Sequence, residues 1–164
     1  MREMFRSAVA SVLAVGLAVA AGGTNPRVTL SDAQVEQVIS STRVNFWGKA
    51  VGMDGNALVP SDNKERDQLL IPHAEAVRIV NEAREYGLAL RCELDWQPVY
   101  SKYMQAERRK GWSEKQIAFV GMLFGVTQSA VRGWVGGTCT KEERGEVQKQ
   151  LDAELNRLTQ KHDP

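Results

Sequence analysis

Histidine and cysteine are scarce in this 164-residue chain, with two of each: His73 and His162, Cys92 and Cys139. A structural zinc site takes four ligands at close spacing, and two distant cysteines without neighbouring histidines do not make one. No H-E-x-x-H pair, nucleophile-elbow serine or phosphate-cradling glycine loop occurs, so no cofactor and no metal are expected. Charge of one sign is also missing. Lys and Arg number 21 and Asp and Glu 20, a formal net charge of +1. That balance argues against a long-range field drawing in nucleic acid or acidic membranes. Strand-rich regions, long repeats and low-complexity tracts are absent as well. The longest apolar run, Ala8 to Ala21, falls short of the roughly 20 residues that a membrane-spanning helix needs.

What that run does resemble is an export signal. Arg2 and Arg6 form a short basic head, and Ala18-Val19-Ala20 has the small-x-small form after which signal peptidases cut. The expected organisation is a signal peptide over 1–20, an extended leader over 21–30 and a single helical domain over 31–164. No cysteine follows the apolar run directly, so no lipid anchor is expected, and cleavage would leave no stable membrane span. Loss of Arg2, Glu3 and Arg6 leaves a mature chain close to neutral. The expected location is periplasmic or extracellular. In such an oxidising compartment a lone pair of cysteines usually bonds, which predicts a Cys92–Cys139 disulfide.

The remainder reads as an all-α bundle of about five helices. Ser31 with Gln34, Ser113 with Gln116 and Thr140 with Glu143 are three capping boxes, each opening a helix. Leu30 with Val35, and Trp112 with Ile117, are placed as hydrophobic staples. The first helix carries Val35, Val38, Ile39 and Phe46 at helical spacing and should end near Trp47-Gly48. Residues 48–66 lack helical periodicity, and Met53-Asp54-Gly55-Asn56 signals a turn within a short hairpin over 51–59. Asp54 and Asn56 hint at a calcium loop, but the later acidic ligands and the closing Glu are missing.

Pro72 suits the first turn of a second helix, with Gly87 as its stop after Tyr86. A third helix opens at Asp95 or Gln97, takes Pro98 into its first turn and ends at Gly111. Ile117 to Val135 is apolar on nearly every side and belongs at the centre of the bundle. Gly121, Gly125, Ser129 and Gly133 stand four apart on it, a small-residue ridge that permits close backbone approach. Gly136-Gly137 stops it. The last helix has a narrow stripe of Val147, Leu151, Leu155 and Leu158 between charged faces, as for a surface helix packed along one seam.

Candidate chemistry is sparse. His73 is followed by Glu75, a conceivable dyad at a helix start, while His162 sits near the chain end. Glu107 and Glu114 stand near the end of one helix and the start of the next, so they could flank a cleft and serve a small secreted hydrolase as acids. Structural duty explains both residues and is the favoured reading: Glu107 precedes the basic helix end Arg108-Arg109-Lys110, and Glu114 is a favoured first-turn acid.

Ile117 to Trp134 resembles the helix-turn-helix of bacterial DNA-binding regulators. Gly121 stands at its small position and Gly125 at its turn glycine, with Val120, Phe124, Val126, Val131 and Trp134 on apolar positions. The resemblance implies a recognition helix from Thr127 with Gln128, Ser129 and Arg132 facing the groove, and phosphate contacts from Arg108, Arg109, Lys110 and Lys115. Export and the absence of a basic cluster after Gly133 speak against nucleic acid as a partner. The layout of Cys92, intervening helices and Cys139 before a charged last helix is similar to small periplasmic acid-stress chaperones. The leading expectation is a non-catalytic interaction or envelope-stress protein, whose partner is another protein or its own copy. Trp96, Tyr100, Tyr103, Trp112 and Trp134 would pack its core and its surfaces.

Overall fold

The computed structural model describes residues 29–160. The expected signal peptide, most of the leader and His162 lie outside the described residues. Helices are the only regular elements in them: α1 (Asp32–Phe46), α2 (Asn63–Asp67), α3 (His73–Arg91), α4 (Gln97–Arg108), α5 (Glu114–Trp134) and α6 (Lys141–Gln160). The all-α bundle is as expected, with one helix more than the five foreseen. The addition is α2, five residues with no buried side chain. Apolar periodicity could not announce it. Its cap does the work, since the Asp62 carboxylate accepts from the Glu65 amide at 2.7 Å.

All three capping boxes form. Ser31 and Gln34 close one around α1, Ser113 and Gln116 another around α5. At α6 the Glu143 carboxylate accepts from the Thr140 amide at 2.8 Å, and Thr140 Oγ1 accepts from the Glu143 amide at 3.1 Å. The hairpin expected over 51–59 shrinks to a single antiparallel bridge between Val51 and Ala57. Its turn is held by Asp54, whose Oδ1 accepts from the Asn56 amide at 2.9 Å, an Asx turn. The two residues that hinted at calcium are thus hydrogen-bonded to each other.

At the centre α3 and α5 run side by side in the same sense. Gln116 Nε2 donates to the Leu70 carbonyl at 2.9 Å at one end, and Gly87 meets Val131 near the other. That contact corrects the expected stop at Gly87: α3 continues through it to Arg91. A Cβ on Gly87 would lie 2.6 Å from the Val131 Cβ and 3.0 Å from the Gln128 carbonyl oxygen, so this glycine is what lets the two backbones approach. The helix ends four residues later in a Schellman motif. Leu94 N–H donates to the Ala89 carbonyl at 2.9 Å and Glu93 N–H to that of Leu90 at 3.3 Å, with Glu93 left-handed at φ 54°.

Helix α1 packs against α3 and α5, α4 returns the chain between them, and α6 lies along α3 and α4. Phe124 of α5 is the aromatic hub, with ring centroids of Tyr86, Tyr100 and Tyr103 at 4.6, 4.8 and 5.2 Å. Phe46 stacks edge-on against Phe119 at 5.4 Å. Such pairs add about 0.5–1.5 kcal/mol each beyond the area they bury. Of the five aromatics singled out in the sequence, Tyr103 is buried, Trp96, Tyr100 and Trp112 are partly buried, and Trp134 is exposed.

Candidate functional site

Cys92 and Cys139 are joined by a disulfide with Cα atoms 5.1 Å apart. Cys92 is the C-cap of α3 and Cys139 precedes α6, so the bond ties the end of one helix to the entrance of another. Two arginines reinforce the corner. Arg144 of α6 donates to the carbonyls of Cys92 and Glu93, satisfying oxygens that a helix end leaves open. Arg91 pairs with Glu143 at 3.0 Å. The Thr140 amide and Arg91 together hold the Glu143 carboxyl below its ordinary range.

The acids and the histidine that could have carried catalysis are engaged elsewhere. Glu107 is buried, and its Oε1 accepts from Arg78 Nη2 at 2.8 Å and from Lys110 Nζ at 3.0 Å. Its Oε2 accepts from Trp112 Nε1 at 3.3 Å. Glu114 Oε1 instead accepts from the Met53 amide, pinning the 52–57 turn to the start of α5. Each carboxylate thus has its own structural partners. His73 does not face Glu75: its Nε2 lies 2.7 Å from Glu36 on α1, with both side chains more than half exposed. Glu75 joins Arg78 and Lys110 instead, and the Arg78 hydrogen bond lowers its pKa.

The helix-turn-helix geometry does not form. Residues 117–134 lie within one uninterrupted helix, and Gly125 sits inside it without a turn. An unbroken run of backbone bonds needs no glycine turn; of the apolar positions of the supposed motif, Val120, Phe124 and Val131 are core, Val126 is partly buried and Trp134 is exposed. Gln128, assigned to the groove, is buried at 5% exposure and donates to the Tyr86 carbonyl at 3.3 Å. Ser129 and Arg132 are exposed. The small-residue ridge divides in the same way. Gly121 faces Tyr100 and Met104, while Cβ atoms built on Gly125 and Gly133 would meet nothing within 4 Å. Around Gly125 and Ser129, a shallow depression is completed by Met122, Val126 and Ala130.

One site went unnoticed in the sequence. Between α3 and α6 lies a cavity of about 440 Å³. Helix α3 contributes Glu82, Glu85 and Tyr86, and α6 contributes Gln150, Glu154 and Arg157, over apolar contacts with Val147 and Leu151. Tyr86 is 3% exposed, and its hydroxyl has no hydrogen-bond partner. Glu85 Oε2 and Gln150 Oε1 are buried there and equally unpartnered. Burial raises the pKa of Glu82 and of Tyr86, and for Tyr86 the carboxylates of Glu154 and Glu82 add to the shift. The polar residues are spread over two helices far apart in the chain and follow no motif spacing. The narrow apolar stripe of α6 was the only local sign that a seam would form here.

Among the described residues no group of three or more His, Cys, Asp or Glu side chains is placed to hold a metal ion. Nor is any helix there long and apolar enough to cross a membrane. In comparisons with known proteins, no family model, no curated protein and no solved structure matches the chain.

Proposed function

We propose that this chain is an exported, non-catalytic helical domain that acts by binding another protein or its own copy. The observation that carries the reading is the Cys92–Cys139 disulfide, since such bonds persist in oxidising compartments and are rare in a reducing cytosol. It is consistent with the basic head, apolar run and small-x-small site of residues 1–20. The structural engagement of Glu107, Glu114 and His73 favours binding over catalysis. Cell fractionation with intact-mass measurement tests export. The expected product lacks its first 20 or so residues and is two mass units lighter than the fully reduced chain. A full-length cytoplasmic chain with two free thiols under denaturing conditions would overturn the reading. Sedimentation over a range of concentrations separates the two kinds of partner: a reversible dimer identifies the second copy, and a strict monomer excludes it.

A further inference from the structure

We propose that the outward face of α5 is the interface with a second copy of this chain, packed antiparallel on the same helix about a two-fold axis. The inference rests on the reading that the chain acts by binding, and it names the partner and the surface. Helix α5 gives one side to α3 and another to α1, and α4 crosses it near Gly121 and Phe124. Its remaining side carries Ala118, Met122 and Gly125, all partly buried, and the exposed Ser129. At one end this side runs into a cavity of about 450 Å³ lined by Tyr100, Trp112, Ala118 and Gly121. Val51 and Met53 line the same cavity and are 57% and 92% exposed. At the other end lies the shallow depression around Gly125 and Ser129. Contiguous apolar surface of this kind marks a site of association. A Cβ on Gly125 would meet no atom of the described residues within 4 Å, so internal packing does not demand glycine there. Glycine also weakens a helix relative to alanine. What it allows at this position is close approach by a backbone from outside.

Charge selects a second copy and sets its direction. At about 3.6 residues per turn, Glu114 and Arg132 stand roughly five whole turns apart, on one line at the two ends of this face. Both are exposed, and neither has an ion-pair partner among the described residues; Glu114 accepts from the Met53 amide. In an antiparallel pair, Glu114 of each copy meets Arg132 of the other, twice over by symmetry. A parallel pair would set like charges against each other at both ends. The α5 macrodipoles also oppose in the antiparallel arrangement. Arg108 lines the cavity beside Glu114, and Glu93 lies with Arg132 at the far corner, so the two ends meet as neutral sets. The midpoint of the line falls between Gly121 and Gly125, which places Gly121 of one copy against Gly125 of the other. Met122 lies beside the axis, where its flexible thioether can pack on its own counterpart.

The test uses the intact oxidised protein in sedimentation equilibrium from about 10 µM to about 1 mM at low salt, the range of a small helix–helix interface. A reversible dimer is expected, with amide shifts on dilution centred on residues 114–132 and absent from α6. Gly125→Leu should raise the dissociation constant at least about tenfold, because the new side chain stands between the two backbones. Its helical content and urea midpoint should hold or rise, since leucine is the better helix former and the space is open within the chain. Arg132→Glu and Glu114→Arg should each weaken the dimer by about tenfold, since each creates two like-charge contacts. An equimolar mixture of these two variants should recover the parent affinity, because the heterodimer pairs opposite charges at both ends. If Glu114→Arg does not fold, Gly125→Leu and Arg132→Glu decide the matter. A chain still monomeric at about 1 mM would overturn the proposal and leave a different protein as the partner. A dimer unaffected by folded Gly125→Leu or Arg132→Glu, or not recovered on mixing, would overturn this face while keeping the second copy. Export is judged separately, by mass and thiol content.

Discussion

Gly87 shows how far one residue's meaning depends on a neighbour distant in the chain. In an exposed helix interior, replacing glycine by alanine gains about 1 kcal/mol in propensity. Here the new methyl would meet the Val131 side chain at 2.6 and 2.7 Å, both atoms belonging to a stiff β-branched residue. Overpacking of that kind costs about 1–3 kcal/mol, more than the propensity returns. Gly87→Ala is therefore expected to lower stability by roughly 1–2 kcal/mol in urea unfolding, and Val131→Ala should not rescue it, because alanine keeps the Cβ that lies 2.6 Å away. An alanine variant as stable as the parent would show that the close approach is not why glycine stands there. By local rules the same residue looked like a helix stop. The actual terminator, Glu93 at φ 54°, carries no compositional sign, because glutamate is not a usual left-handed residue. Gln128 misled for the same kind of reason. Its polarity suggested a surface, whereas a carbonyl of α3 takes its amide within the core.

Elements whose determinants are local were legible. The capping boxes of α1, α5 and α6 each lie within four consecutive residues, and all three form. Helix α2 adds outside contacts to its local Asp62 cap: Arg43 of α1 and Trp47 at its end donate to the carbonyls of Asp67 and Arg66, and an ion pair joins it to α5. Lys115 of α5 donates to Glu65 Oε2 at 2.7 Å and to Ser61 Oγ at 3.0 Å, and its ammonium lies 5.4 Å from the Trp47 ring centre. The Lys115 hydrogen bond, followed by that of the Ser61 amide, lowers the Glu65 carboxyl from 4.5 to about 2. A depressed folded value means that this carboxylate supports the fold fully above 4.5 and that its support disappears as pH falls through about 2. Carbon-detected titration of Glu65 should accordingly show a midpoint near 2. In Lys115→Met the midpoint should rise, short of the ordinary value because the Ser61 amide remains. The α2 amides should lose protection in acid along with the carboxylate. An ordinary midpoint in the parent protein would mean that the α2–α5 clasp is not formed in solution.

At the scale of the whole molecule, the bundle is closed by what happens at the α3–α6 corner. Composition and helical periodicity announced a helical bundle, and the inferred compartment announced the disulfide. The cavity beside α6 was hidden, because side chains from separate stretches meet there only once the bundle has assembled. Helix α6 buries Val147, Leu151 and Leu158 along one seam and exposes most of its other faces, so its apolar hold on the rest is modest. The disulfide compensates by shortening the unfolded chain: closing a separation of 47 residues is worth about 4 kcal/mol in the chain-entropy model. Native domains are stable by only about 5–15 kcal/mol, so reduction removes a large share without removing the fold. The denaturant midpoint should drop on reduction by an amount equivalent to about 2–4 kcal/mol, and the paired change Cys92→Ser with Cys139→Ser should reproduce it. The location of the loss is the sharper expectation. With the bond cut, the start of α6 is tied to α3 by Arg144, by the Arg91–Glu143 pair and by the Arg91 hydrogen bond to the Gly136 carbonyl. Amide exchange should then rise first in α6 and last in the paired α3 and α5, whose contact does not depend on the bond. Uniform loosening across all the helices would instead place the disulfide's effect in the unfolded chain alone, with no particular hold on the corner it joins.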